Sequence, residues 1–71
     1  MSNKSNVTDA ELMEFCKWYA DFHGKASVDK SVVTTCLCGY FHTYSKRAER
    51  LLKRCLQLGL LTAHRGKVMP L

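Results

Sequence analysis

Cys36-Leu37-Cys38, with His42 four residues on, is the first group in this sequence that could do chemistry, since thiolates and imidazoles are the ligands of structural zinc. The spacing argues against it. Zinc sites set paired cysteines two to four residues apart, and here a single residue separates them. Cys16 and Cys55 fall on apolar helix faces, where a thiol packs as a small hydrophobe. A disulfide framework would need an oxidising compartment, and the polar start Met-Ser-Asn-Lys-Ser-Asn has no apolar stretch of a secretory signal behind it. His23, His42 and His64 belong to different segments, and the sequence shows no Ser/His/Asp order, paired carboxylates on one helix face, or phosphate-binding glycine loop. The expectation is a cytoplasmic protein that is not an enzyme, with no metal, no cofactor and no small-molecule substrate.

Positive charge is the remaining chemistry. The 71 residues carry 11 Lys and Arg against 6 Asp and Glu, for a net charge of +5. Its distribution is uneven: residues 1–24 hold two Lys and four acids, whereas residues 25–71 hold nine Lys and Arg against Asp29 and Glu49. A segregated cationic surface suits an acidic partner, nucleic acid above all. With 46% hydrophobic and 24% charged residues the chain has the proportions of one small globular domain, and no apolar run is long enough to span a membrane.

The elements that must position those charges follow from capping and periodicity. Residues 1–7 read as a disordered tail. Thr8-Asp9-Ala10-Glu11 has the form of a capping box, and behind it Leu12, Phe15, Cys16, Tyr19, Phe22 and His23 recur at helical spacing until Gly24, which predicts a helix over 9–23 with Phe15, Tyr19 and Phe22 in the core. Trp18 and Met13 fall at the edges of that stripe, positions that either cover a small core or meet a second copy. Lys25 to Val28 reads as a short strand or an extended link. Asp29 or Ser27 can cap a second helix with Val32, Val33, Cys36 and Leu37 inward, ended by Gly39, although the run Val32-Val33-Thr34-Thr35 carries strand propensity.

The third helix, 46–58, is the clearest. Thr43 or Ser45 caps it and Gly59 stops it. At 100° per residue Leu51, Leu52, Cys55 and Leu58 share an arc of about 120°, while Lys46, Arg50, Lys53 and Gln57 cluster within about 60° on the opposite side, flanked by Arg47 and Arg54. Two short extended runs around Arg65-Gly66 then read as a hairpin with a basic tip, His64 to Lys67, in which Pro70 would sit on an edge strand.

Helix, extended piece, helix, turn, basic helix and hairpin is an order that resembles the winged helix-turn-helix family, over residues 9–71. The most specific part is the run from Ser45 through Arg50 and Lys53 to Gly59-Leu60-Leu61, which is similar to a recognition helix leading into a wing. The stretch Gly39 to Ser45, Gly-Tyr-Phe-His-Thr-Tyr-Ser, is longer and more aromatic than the turn of that family. Small members encoded by phages and plasmids are similar in length. The resemblance implies an α+β fold, mainly α, with three helices and a C-terminal β-hairpin, and a role in transcription regulation by binding double-stranded DNA as a dimer. It places Ser45, Lys46, Arg47 and Arg50 nearest the bases in the major groove, Lys53 and Arg54 against phosphates, and Arg65 and Lys67 in the minor groove or on the adjacent backbone, while Tyr44, from its own position beside the helix cap, is expected to meet a phosphate. The alternative is a protein-binding module that uses the same scaffold and docks its basic face on an acidic protein surface.

Overall fold

A computed structural model describes residues 7–71. The first helix, α1, spans Asp9–His23 and begins with the capping box: the Glu11 amide donates to Thr8 Oγ1 at 3.2 Å, and the Thr8 amide donates to Glu11 Oε1 at 2.9 Å. Such a cap is worth about 1 kcal/mol. Leu12, Phe15, Cys16 and Tyr19 are buried. Phe22 is 73% exposed, contrary to its place on the apolar stripe. It lies in the last turn at the margin of that stripe and stacks on Trp18 instead, with ring centroids 5.6 Å apart and planes 10° from parallel. Val7, expected to belong to the tail, is buried in the core; the rest of that tail, residues 1–6, lies outside the described residues.

Strand β1 is the pair Val28–Asp29, and α2 follows directly as Lys30–Phe41. The β-branched run is helical after all, with the Thr34 and Thr35 hydroxyls donating to the carbonyls of Lys30 and Ser31 at 2.9 Å. Of its expected inward stripe, Val33 and Leu37 are buried, Cys36 is half-buried and Val32 is exposed. Gly39 does not end the helix. A helical glycine costs about 1 kcal/mol, but two more helical residues bring Tyr40 and Phe41 against Phe15, with ring centroids at 5.1 and 6.0 Å. Reversal falls to His42, which takes the left-handed conformation at φ 53° and donates its amide to the Cys38 carbonyl. The connection to the next helix is therefore only residues 42–44, shorter than expected.

Helix α3 runs Ser45–Gln57, one residue earlier than the predicted 46–58. Tyr44, rather than Thr43 or Ser45, occupies the N-cap position, without a side-chain cap bond. Ala48, Leu51, Leu52 and Cys55 are buried, while Leu58, predicted inward, is exposed at the helix end. Gly59 at φ 77° closes the helix: its amide donates to the Leu56 carbonyl at 3.2 Å and the Leu60 amide to the Cys55 carbonyl at 3.0 Å, the paired bonds of a Schellman motif.

Strands β2, Leu61–His64, and β3, Lys67–Pro70, form the hairpin. Arg65 and Gly66 both have positive φ, 55° and 79°, the pattern of a tight type I′ turn. The sheet has three antiparallel strands rather than two, in the order β1-β3-β2, with Val28 opposite Val68, Asp29 opposite Lys67 and Leu61 opposite Pro70. Pro70 thus sits on the central strand, not an edge. It is tolerated because β1 begins at Val28, opposite Val68, so no strand faces Pro70 on that side. The result is a small, mostly helical α+β fold whose core of Leu12, Phe15, Tyr19, Val33, Leu37, Cys55, Leu61 and Val68 lies between the helices and the sheet. No helix among the described residues is long and apolar enough to cross a membrane.

Candidate nucleic-acid interface

Burial of Ala48, Leu51, Leu52 and Cys55 turns the opposite side of α3 to solvent. There Lys46, Glu49, Arg50 and Lys53 line one shallow hollow, three cations around a single carboxylate. Lys46, Arg50 and Lys53 are exposed and have no ion-pair partner among the described residues. Arg47 is half-buried beside them. Tyr44, 64% exposed, and exposed Ser45 stand at the N-terminal end of the same helix.

Arg54 is a different case. Its guanidinium donates to the Val7 carbonyl at 2.6 Å and pairs with the Asp9 carboxylate. Its place at the flank of the cationic arc, toward α1, explains this. The side chain fastens α3 to the start of α1 and is committed to the chain's own partners, so it is set apart from the surface it was expected to join.

The tip of the hairpin carries Arg65 and Lys67, both exposed. Lys67 Nζ lies 2.9 Å from Asp29 Oδ1, a pair more than half exposed on both sides and so screened by solvent. Asp29, at the N-cap position of α2, makes no side-chain cap bond. The next residue joins the two basic elements. The Lys30 amide donates to the Gly66 carbonyl at 3.2 Å, docking the tip on the start of α2, and Lys30 lines a second hollow together with Glu49, Leu52, Lys53 and Leu56 of α3. Lys30 therefore shares a hollow with Lys53 of α3 and is bonded through its backbone to the hairpin tip.

Lys30 was not among the residues singled out from the sequence. Its signal was a cation at the first position of a helix, where the macrodipole disfavours positive charge. The candidate zinc ligands do not assemble: Cys36 Sγ faces His23 Nε2 at 3.8 Å, and no three His, Cys, Asp or Glu side chains among the described residues are grouped to hold a metal ion. Phosphate oxygens and the acceptor edges of bases are the chemistry that an array of exposed ammonium and guanidinium groups can engage. No protein-family profile, curated protein or solved structure matches the chain.

Proposed function

We propose that the protein binds double-stranded DNA as a winged helix-turn-helix regulator, with the N-terminal half of α3 in the major groove and the β2–β3 tip as its wing. The element order α1-β1-α2-α3-β2-β3 and the short 42–44 connection support this reading. The observation that carries it is the position of Lys30, which shares a hollow with Lys53 of α3 and is bonded through its amide to Gly66 of the tip. Ser45, Lys46, Arg47 and Arg50 lie nearest the base edges. Arg50 is the best suited to guanine, because a planar guanidinium meets two acceptors at once. Tyr44, Lys53 and Lys30 hold phosphates, and Arg65 and Lys67 reach the neighbouring groove or backbone. One α3 reads one half-site, so discrimination calls for two copies on a pseudo-palindrome.

Titration of a fluorescent random-sequence duplex at several salt concentrations tests the reading. About five phosphate contacts give a slope of log affinity against log salt of roughly −4 to −5. A slope shallower than about −1, or binding confined to acidic polypeptides, overturns it.

A further inference from the structure

The core contains two reactive groups that DNA binding does not use. Cys16 on α1 and Cys55 on α3 place their Sγ atoms 3.8 Å apart, and both thiols are free. Cys55 is fully buried. Cys16 is 7% exposed and helps to form a hollow between α1 and the C-terminal strand, with Lys17, Lys25, Leu60 and Pro70 around it. Of the pair, Cys16 is therefore the one that borders a surface hollow.

We propose that Cys16 and Cys55 are a dithiol modification site whose substrate is a small peroxide and whose product is a disulfide joining α1 to α3. The thiolate is the reacting form of cysteine. Cys16, which lines the hollow, is the reacting thiol: the neighbouring Cys55 S–H can donate to its thiolate, which shifts its pKa down from the ordinary thiol value against the opposing effect of burial. Cys55 is shifted up, because its own ionisation would forfeit that bond and because it is buried. Lys17, Lys25 and the Asp21 carboxylate line the same hollow, two cations against one anion.

The reaction balances in two steps. The Cys16 thiolate attacks a peroxide oxygen; an S–O bond forms, the O–O bond breaks, and hydroxide leaves, giving a sulfenic acid. Cys55 sulfur then attacks the Cys16 sulfur; the S–S bond forms, the S–O bond breaks, and water leaves with the Cys55 proton. Two thiols lose two electrons and the peroxide is reduced to two waters. The sulfurs must close by about 1.8 Å to reach bonding distance, a movement within the compass of side-chain rotation. The link would join positions 39 residues apart, and closing a loop of that size in the unfolded chain favours the folded form. The site stands whether or not the cationic face meets DNA.

The test uses the native, reduced chain and hydrogen peroxide. The expected result is a monomer lighter by about 2 Da, a Cys16–Cys55 bond on peptide mapping, a higher Tm, and full reversal by dithiothreitol. A Cys36→Ser, Cys38→Ser double variant is expected to behave identically, and it removes the competing thiols without touching the core pair. Three results overturn the proposal: a mapped bond that uses Cys36 or Cys38, Cys16 carried to sulfinic acid while Cys55 remains a free thiol, or no reaction of the folded chain at peroxide levels that oxidise the urea-unfolded one.

Discussion

Arg54 and Lys30 should fail in opposite ways when each is replaced by alanine, and the contrast tests the division of labour between them. Arg54→Ala removes a charged donor at 2.6 Å from the Val7 carbonyl, a bond worth about 1.5–3 kcal/mol. It also removes the partly exposed pair with Asp9, worth about 0.2–1 kcal/mol after solvent screening. The sum is about 2 to 4 kcal/mol, which for a domain of this size corresponds to a Tm lower by roughly 10–30 °C. DNA affinity of the folded fraction and its salt slope should not change. Lys30→Ala removes an exposed cation from the first turn of α2, where the macrodipole opposes it, so stability should hold or rise by about 0.3–1 kcal/mol. Its effect appears in binding. Losing one phosphate contact flattens the salt slope by about 0.9, so that the affinity lost between 50 and 200 mM salt shrinks by about 3.5-fold. Thermal melts followed by circular dichroism and anisotropy titrations at those salts measure both variants. An Arg54→Ala protein that melts normally but binds DNA with a flatter slope, or a Lys30→Ala protein that unfolds early and binds normally, would refute the assignment.

Other substitutions test particular features. Tyr19 is buried, its hydroxyl has no hydrogen-bond partner among the described residues, and burial raises its pKa; Tyr19→Phe is expected to raise stability by about 1 kcal/mol in urea melts, and a loss would show that the hydroxyl is satisfied in solution. Gly39 is helical, in the last turn of α2, and a Cβ there meets nothing within 4 Å, so Gly39→Ala should stabilise by about 0.5–1 kcal/mol; destabilisation would mean that α2 ends earlier. Arg50→Ala should relax preference at one base pair at a cost of about 1–3 kcal/mol, whereas Lys67→Ala should weaken specific and random duplex alike; equal losses on both duplexes for both variants would remove base reading from Arg50.

Most of α1 was legible because its signals are local. Thr8, Glu11 and Gly24 act on the backbone within a turn of themselves, so the limits at Asp9 and His23 follow from sequence neighbours alone. The same holds for Gly59 and Gly66. Features set by distant parts of the chain were not legible. Gly39 reads as a stop until Phe15 supplies a ring for Tyr40 and Phe41 to meet, and Phe22 reads as core until the structure shows it exposed and stacked on Trp18. The candidate interface divides in the same way. The exposed face of α3 follows from its 100° period, but the diversion of Arg54 to Val7 and Asp9 depends on how α1 and α3 pack, and the part played by Lys30 depends on β1 pairing with the strand beyond Gly66.

That pairing also sets where the molecule opens most readily. β1 is held to β3 over two residue pairs, supplemented by the Lys30 amide bond to Gly66 and one solvent-exposed charge contact. The β2–β3 ladder is twice as long and anchored by buried Leu61 and Val68. A seam this short can part without disturbing the rest, so amide exchange at Lys30 would report a local fluctuation of far lower free energy than global unfolding. Each such excursion would free only β1 and the first turn of α2, because buried Leu61 and Val68 keep the hairpin seated in the core.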